Sequence, residues 1–538
     1  MNKKLALLSV GLFCAVSSLY SQNAPFNLVL EPMSISGLGG LQSYAHGQHN
    51  GKWLIMGGRL DGLHRRQPFA AFDLAGHNNQ LIVVDPVSLK KWSAPLSSLP
   101  VAIQEQLSST NMQFHQQGDY LYCTGGYGYS AIAGDHTTFA KLTAIKVSNV
   151  IDAVINNNPF TTYFRQITDP KMQVTGGHLK KINNDYYLLG GQKFLGRYNP
   201  QGPSHGPGFT QVYTNAIHKF TINDNGTSLS ISHHNSFIDS LNLHRRDYNA
   251  ESQILPNGSE GITMFSGVFQ LQADLPFLNS VSIDSSGYSV NNTFQQYYNH
   301  YHCAVLPLYS ASKNEMHNVF FGGIAQYYDS MGILVQDNNV PFVKTIARVT
   351  RNASGVLAEY KLPIEMPVYL GAGSEFMINT NLSHYNNDVI KLDDITNDST
   401  LVGYIYGGIN SSAQNIFFTN TGTQSTASSQ IFKVTLVKNK ALSAHFLNEQ
   451  SIGSLKMQVF PNPNDGEFVI KFNLSKKTNA KITIYASNGQ KIDETVLKNP
   501  SLGENSYSPA KGSVKNRGVF FVSLETAYER ATQKIIIE

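Results

Sequence analysis

Short runs of aliphatic and aromatic residues, each closed by a double glycine, recur along this chain. They occupy 53–56, 120–124, 186–189, 319–321 and 404–406, followed by Gly57-Gly58, Gly125-Gly126, Gly190-Gly191, Gly322-Gly323 and Gly407-Gly408. A sixth copy at 262–265 ends in Ser266-Gly267. Around each pair the polar and apolar positions predict one order of elements. A strand with a polar start is followed by a second ending at the glycines, a loop, a third strand of alternating apolar residues, and a fourth. In the first unit these fall at 43–49, 52–58, 80–87 and 90–94, and the later third strands at 142–147, 212–222, 278–283, 345–350 and 430–437. Self-similarity with a step of 56 to 85 residues identifies a repeat architecture.

Six units of four antiparallel strands predict an all-β fold: a six-bladed β-propeller over 22–450, followed by a small C-terminal β-sandwich over 454–538. The 44 glycines, 27 tyrosines and 29 phenylalanines agree with strands and tight turns. A strand turning at a crowded blade edge needs residues without Cβ and able to take positive φ, which explains the glycines. The strand to close the ring is left open between 27–30 and 441–446, and 382–396 has no assigned element. The spacing also sends the post-glycine loops and the blade-to-blade connections to one face. Long segments at 59–78, 127–140, 192–210, 324–340 and 409–427 make that face the elaborated one.

With Asp85 followed by Trp92, the Gly-Gly repeat resembles the Kelch superfamily of β-propellers (the galactose oxidase/Kelch group) over about 27–450. The late tryptophan is missing from the other units, and the units exceed the usual Kelch length of about 50 residues. That resemblance implies the fold and no particular activity.

Residues 1–21 carry Lys3 and Lys4, then an apolar stretch 5–16, then small and polar residues, the pattern of an export signal cleaved near Ser21. Phe13 precedes Cys14, which argues against lipoprotein processing. No other apolar run approaches the ~20 residues of a membrane-spanning helix, so a soluble exported product without a transmembrane segment is expected. Cys123 and Cys303, the two cysteines left after signal removal, fall in different repeats, which argues against a bridge. The segment 454–538 holds 12 basic and 8 acidic residues, leaving 26 against 28 over 22–453. This near-neutral balance with no basic block excludes nucleic acid as an expected partner.

The tail reads Phe460-Pro461-Asn462-Pro463, then an Asn488-Gly489 turn, then the apolar strand 518–522, and ends Lys534 to Glu538. Together these resemble the type A sorting domain of the type IX secretion system of Bacteroidetes. That resemblance implies a signal-directed first step, a tail-directed second step through the type IX machinery, and a secreted or cell-surface destination. Asp239-Ser240-Leu241, Asp329-Ser330-Met331 and Asp398-Ser399-Thr400 are similar to the O-glycosylation triplet of the same bacteria.

Inner strands of a propeller start at the mouth of its channel, and here those starts are polar. They bring His46, His115, His178, the cluster Arg245-Arg246-Asp247, His300 with His302, and Glu375 to that mouth. Two apart on a strand, His300 and His302 would share a face as metal ligands do; a water-filled channel also requires polar walls, and neither a metal nor another cofactor is expected. If the protein is an enzyme, Glu375 or Asp247 would serve as acid or base, with Arg245 and Arg246 holding an anion. Some exported six-bladed Kelch proteins are sialic-acid epimerases, but no motif here carries that activity over residue by residue. The loops add Tyr127, Tyr129, Tyr198 and Tyr327, with His64, Arg66, His205 and Phe418 nearby. Such aromatics bind sugar faces and peptide surfaces, and equally pack their own loops. The leading expectation is a glycan- or protein-binding module, and the alternative a carbohydrate-active enzyme.

Overall fold

The computed structural model describes residues 25–67, 69–202, 204, 208–330, 333–438, 455, 457–486, 490–510, 512–514, 516–526 and 530–538. The signal segment 1–21, the alternative closing strand 441–446, His205, Met331 and the Asn488-Gly489 turn lie outside them. The chain forms two compact units, up to Asn439 and from Lys440.

The first unit is a six-bladed β-propeller. Blade one pairs Ala45–His49, Lys52–Met56, Gln80–Asp85 and Lys90–Pro95 in sequence order from the channel outward. Blades two to five repeat that order from the inner strands Thr110–Gln117, His178–Ile182, Asn249–Ile254 and Val305–Ser310. Blade six runs Ser374–Ile378, Ser399–Gly407, Ile431–Lys438, and then takes Phe26–Met33 as its outermost strand. Phe26 pairs with Lys438 and Met33 with Ile431, so the first strand among the described residues closes the ring.

The second strands read as unbroken apolar runs because both their faces are buried. Leu54 and Met56 pack with Leu121, Cys123 and Ile145 of blade two. Trp53 and Ile55, one residue out of phase, pack with Tyr404, Tyr406 and Ile431 of blade six. The same alternation recurs between blades two and three, where Tyr122 and Leu142 meet Leu179 and Leu188. It recurs between three and four, where Leu189 and Ile217 meet Ile262 and Met264.

The glycine pairs sit where blades join. Both glycines of all five pairs have positive φ. The second N–H donates to a carbonyl just ahead of the next inner strand: Gly58 to Ser109 (2.9 Å), Gly126 to Val174 (2.9 Å), Gly191 to Arg245 (2.7 Å), Gly323 to Leu370 (3.3 Å) and Gly408 to Leu41 (2.9 Å). A methyl group on Gly125 or Gly322 would overlap that same carbonyl oxygen. The pair is therefore an inter-blade joint, and only glycine fits it. At the sixth copy Ser266 takes φ 56° and bonds its hydroxyl to the Phe277 carbonyl at 2.8 Å.

Several elements differ from the sequence expectation. Segment 212–222 is two strands, Thr210–Tyr213 and Ala216–Asp224, because the first leaves blade three with Gln192–Leu195 to extend the sheet of blade two. Among the described residues of this unit two α-helices interrupt the strands, Val101–Leu107 and Val147–Asn156. In the second, Val147, Val150, Ile151 and Val154 are buried at helical spacing against blade one. Asp119 accepts from the Ser148 N–H at 2.9 Å near its start, and Asn157 ends it at φ 54°. Packing thus overrides the β preference of its valines and isoleucines. Segment 382–396 belongs to an insertion between the first two strands of blade six, with the short strand Ile390–Lys391 and a helical turn Leu392–Asp394.

The second unit holds a three-stranded sheet, built on Gln458–Phe460, Val469–Leu474 and Gly503–Tyr507, and a four-stranded sheet of Ala480–Ala486, Lys491–Leu497, Gly518–Glu525 and Arg530–Ile537. Phe468, Ile470 and Phe472 share one apolar core with Ile482, Ile484, Val522, Leu524 and Ile535. Among the described residues no helix is long and apolar enough to cross a membrane.

Candidate functional site

Each blade enters its inner strand through a residue with left-handed backbone: Ser43, Asn111, Gly176, Asp247, His302 and Gly373, with φ between 35° and 73°. Their backbones bond around the channel. Ser43 N–H donates to Gly373 O (2.8 Å), Asn111 to Ser43 (3.1 Å), Gly176 to Asn111 (3.4 Å), Asp247 to Gly176 (2.8 Å) and Gly373 to His302 (2.6 Å). The channel therefore narrows at a hydrogen-bonded collar. Four of its six positions hold side chains in a conformation that favours glycine, and such positions cluster at functional sites.

Above the collar, on the loop-rich face, lies a cavity of about 480 Å³. Asp247 and Arg246 form an ion pair in its floor. Arg246 Nε donates to the Tyr213 hydroxyl at 3.0 Å, and its guanidinium lies 5.3 Å from the centre of the Phe269 ring. Tyr198 and Tyr301 are close enough to couple electrostatically with Arg246, and burial raises both phenol pKa values. Neither hydroxyl has a hydrogen-bond partner among the described residues, although Tyr213 is engaged. At the rim Arg66 stacks on Phe418 at 5.2 Å, and Phe418 is 62% exposed.

Just below the collar, His302 Nε2 stands 3.6 Å from Glu375 Oε1. Burial pushes the His302 imidazole down, but the hydrogen bond and charge of Glu375, helped by Asp247, outweigh it and raise its pKa above 6.5. His178, with its ring 6.1 Å from that of His302, behaves oppositely: burial, then Lys180 and His302, lower its pKa to about 3. Its Nε2 donates to the Tyr248 carbonyl at 2.6 Å.

The structure gives the expected residues unlike surroundings. His46, His115, His178, His302 and Glu375 line the channel, while Arg246, Asp247, Tyr127 and Tyr198 line the mouth. His115 is only 8% exposed and packs on Tyr186, and burial lowers its pKa to about 3. Burial also lowers that of His46. His300 and His302 do not share a strand face. Both have positive φ ahead of the strand Val305–Ser310, so the period-2 argument does not apply to them. His300 is buried against Phe320, and its Nδ1 donates to Gly322 O at 2.8 Å.

Arg245 points away from the site. Its guanidinium donates to Asn242 O (2.7 Å), Ser266 O (2.6 Å) and Asn279 Oδ1 (2.6 Å) and lies 4.0 Å from the Phe277 ring centre. It braces the joint between blades three and four. The Tyr127 hydroxyl donates to Gly196 O at 2.7 Å and accepts from Tyr198 N–H at 2.9 Å, so it orders a loop while its ring walls the cavity. Tyr129 packs on His136 and Tyr327 on Tyr297, and neither lines the mouth. Tyr213 and Tyr301 escaped sequence reasoning. No local pattern marks Tyr213, and Tyr301 stands between two histidines whose spacing imitates a metal-ligand pair.

In the second unit, the Pro-Asn-Pro segment clamps the terminal strand. Asn462 Oδ1 accepts from Ile536 N–H at 2.8 Å, its Nδ2 donates to Lys534 O at 2.9 Å, and Asn464 N–H donates to Ile536 O at 2.9 Å. Residues 458–538 match the family described as the secretion system C-terminal sorting domain. This sorting domain marks the chain for export by type IX secretion, to the cell surface or beyond, and makes the secretion machinery a partner.

No curated protein matches the chain. Among solved structures it is similar to that titled "Structure of YjhT", with 11% identity over 76% of this chain and 99% of that one and a TM-score of 0.38. A RAG complex with one melted and one unmelted RSS gives 10% identity, 76% and 99% coverage and a TM-score of 0.35. An exo-1,5-alpha-L-arabinanase from a bovine ruminal metagenomic library gives 6% identity, 75% and 95% coverage and a TM-score of 0.25. Likenesses this distant carry no functional meaning.

Proposed function

We propose that the protein is an exported recognition module, a Kelch-like propeller delivered by type IX secretion, that binds a glycan in the mouth of its loop-rich face. The observation that carries this reading is the pair of unclaimed hydroxyls, Tyr198 and Tyr301, beside the Arg246–Asp247 pair in a cavity of about 480 Å³. A concave site of that size with aromatic walls and a few convergent polar groups suits a sugar unit better than a flat protein surface. Tyr198, Tyr301, Arg246 and Asp247 supply the contacts. A glycan array probed with the mature protein tests the reading: a saturable hit weakened at least tenfold by the double change Tyr198→Phe and Tyr301→Phe is expected. A hit that this variant retains would sink it.

One observation favours a second reading, a carbohydrate-active enzyme of epimerase type. The His302–Glu375 pair, with Asp247 beside it, places an imidazole of raised pKa and a carboxylate just below the collar. Product analysis of the bound sugar separates the readings: a chemically altered sugar, with turnover lost in Glu375→Gln, favours the enzyme, and unchanged sugar favours recognition.

A further inference from the structure

The rim of the mouth holds surface that the protein does not use for its own packing. Among the described phenylalanines and tyrosines that line the cavity, Phe418 alone is exposed, while Tyr127 and Phe194 are buried and the other rings half-buried. The chain turns its neighbours inward: Phe417 stacks on the buried Phe342 at 5.6 Å, and Ile416 joins the same apolar cluster. Isolated exposed apolar residues are common on any protein. What sets Phe418 apart is how firmly the backbone beside it is held.

Asn420, fully buried, ties this loop of blade six to the loop after the second strand of blade one. Its Nδ2 donates to Leu63 O (2.8 Å) and His64 O (2.9 Å), its Oδ1 accepts from Gly422 N–H (3.1 Å), and its carbonyl accepts from Arg66 N–H (2.9 Å). Leu63 N–H in turn donates to Ser425 Oγ at 2.9 Å. One buried amide thus holds Phe418 and Arg66 in register across two loops. The Arg66 guanidinium rests against the Phe418 ring and makes no hydrogen bond or ion pair among the described residues, so its N–H donors are open to a ligand. A pre-ordered aromatic ring with adjacent donors binds at low entropic cost. It lies at the rim, above the Arg246–Asp247 pair in the floor.

We propose, on the reading of the mouth as a glycan site, that the rim is a second subsite: Phe418 stacks on, and Arg66 donates to, the second unit of an oligosaccharide whose terminal unit occupies the floor. The ligand is a chain of β-1,4-linked pyranoses with equatorial hydroxyls. An aromatic ring packs on a sugar face that is flat, which equatorial hydroxyls provide, and a link equatorial at both ends carries the chain straight out of the mouth. Because the collar narrows the channel below, the chain enters by one end.

Calorimetric titration of the mature full-length protein with glucose, cellobiose and cellotriose, and with N-acetylglucosamine and its β-1,4-linked dimer and trimer, tests the proposal. In one of the two series the disaccharide is expected to bind about tenfold tighter than the monosaccharide, and the trisaccharide little tighter again. Phe418→Ala, which removes an exposed ring, should bring the disaccharide down to the monosaccharide's affinity and leave the monosaccharide unchanged. Phe418→Trp should keep the gain, and its fluorescence should change with the disaccharide and not with the monosaccharide. Tyr198→Phe with Tyr301→Phe should weaken both sugars by the same factor. A monosaccharide that binds as tightly as its dimer, or a gain that survives Phe418→Ala, would overturn the rim subsite and leave the reading of the mouth standing. Binding of none of the six sugars alongside an array hit of another class would overturn the ligand class proposed here, again without touching that reading. Silence on the whole array would remove both.

Discussion

The double-glycine corners and the loops that follow them are adjacent in sequence and opposite in character. All five corners work alike, with a glycine N–H reaching the carbonyl ahead of the next inner strand in a space where a Cβ would collide. The loops beyond diverge into hairpins, a sheet extension and aromatic walls, and the mouth is assembled from their unlike side chains. Repetition therefore writes the frame of this protein, and the departures from repetition write its site. Arg245 and Arg246 condense the contrast into neighbouring residues, one bonded into a blade joint and the other set in the mouth floor.

The largest effect should come from breaking a corner. Gly125→Ala puts a methyl group on the Val174 carbonyl at φ 64° and is expected to cost on the order of 3–5 kcal/mol. Gly134, also left-handed but with open space around its Cβ position, should cost only about 1 kcal/mol as Gly134→Ala. Equal denaturant midpoints for the two variants would break the distinction between corner and loop.

The neighbouring arginines give the next largest contrast. Arg245→Met removes a guanidinium satisfying three carbonyl groups and is expected to destabilise by about 3 kcal/mol in thermal or denaturant unfolding. Tyr198→Phe with Tyr301→Phe, beside Arg246, deletes hydroxyls that the protein does not use, so stability should move by no more than about 0.5 kcal/mol while glycan affinity falls tenfold, about 1.4 kcal/mol.

The two histidines close to the collar sharpen the comparison through pH. His302 has a raised folded pKa, so its contribution to stability is fully present below pH 6.5 and is lost as pH rises through the folded value. His178, bonded to the frame and lowered to about 3, works the other way: between pH 6.5 and about 3 the unfolded chain takes the proton and the folded one refuses it, so acid erodes stability. Imidazole NMR signals should show His302 titrating above 6.5 while His178 stays neutral at about pH 4. Midpoints near 6.5 for both would contradict the assigned surroundings. The smallest effect belongs to Tyr327→Ala, which should leave glycan affinity unchanged, because that ring packs on Tyr297 outside the mouth.

Repetition and its absence also explain what was legible in the sequence. The glycine joints and the doubly buried second strands repeat, so blade number and strand order could be read from them. The tail was legible because Pro461 to Asn464 act together on one strand. Tyr213 and Tyr301 could not be read, since nothing local tells that they converge on Arg246. His300 misled because two positive-φ residues look, in sequence, like the start of a strand. The helix Val147–Asn156 was missed because its β-branched residues favour strands until blade one offers a surface for their helical stripe. The insertion of blade six has no counterpart in the other blades, so no repeat could announce it.

The central claim is that ligand binds in the mouth above the left-handed collar. A crystal structure of the mature protein with the strongest array glycan tests this most directly. The account predicts a sugar unit within hydrogen-bonding distance of Tyr198, Tyr301 and the Arg246–Asp247 pair. A sugar bound on the outer strands or the base of the propeller, with the mouth unchanged, would contradict it.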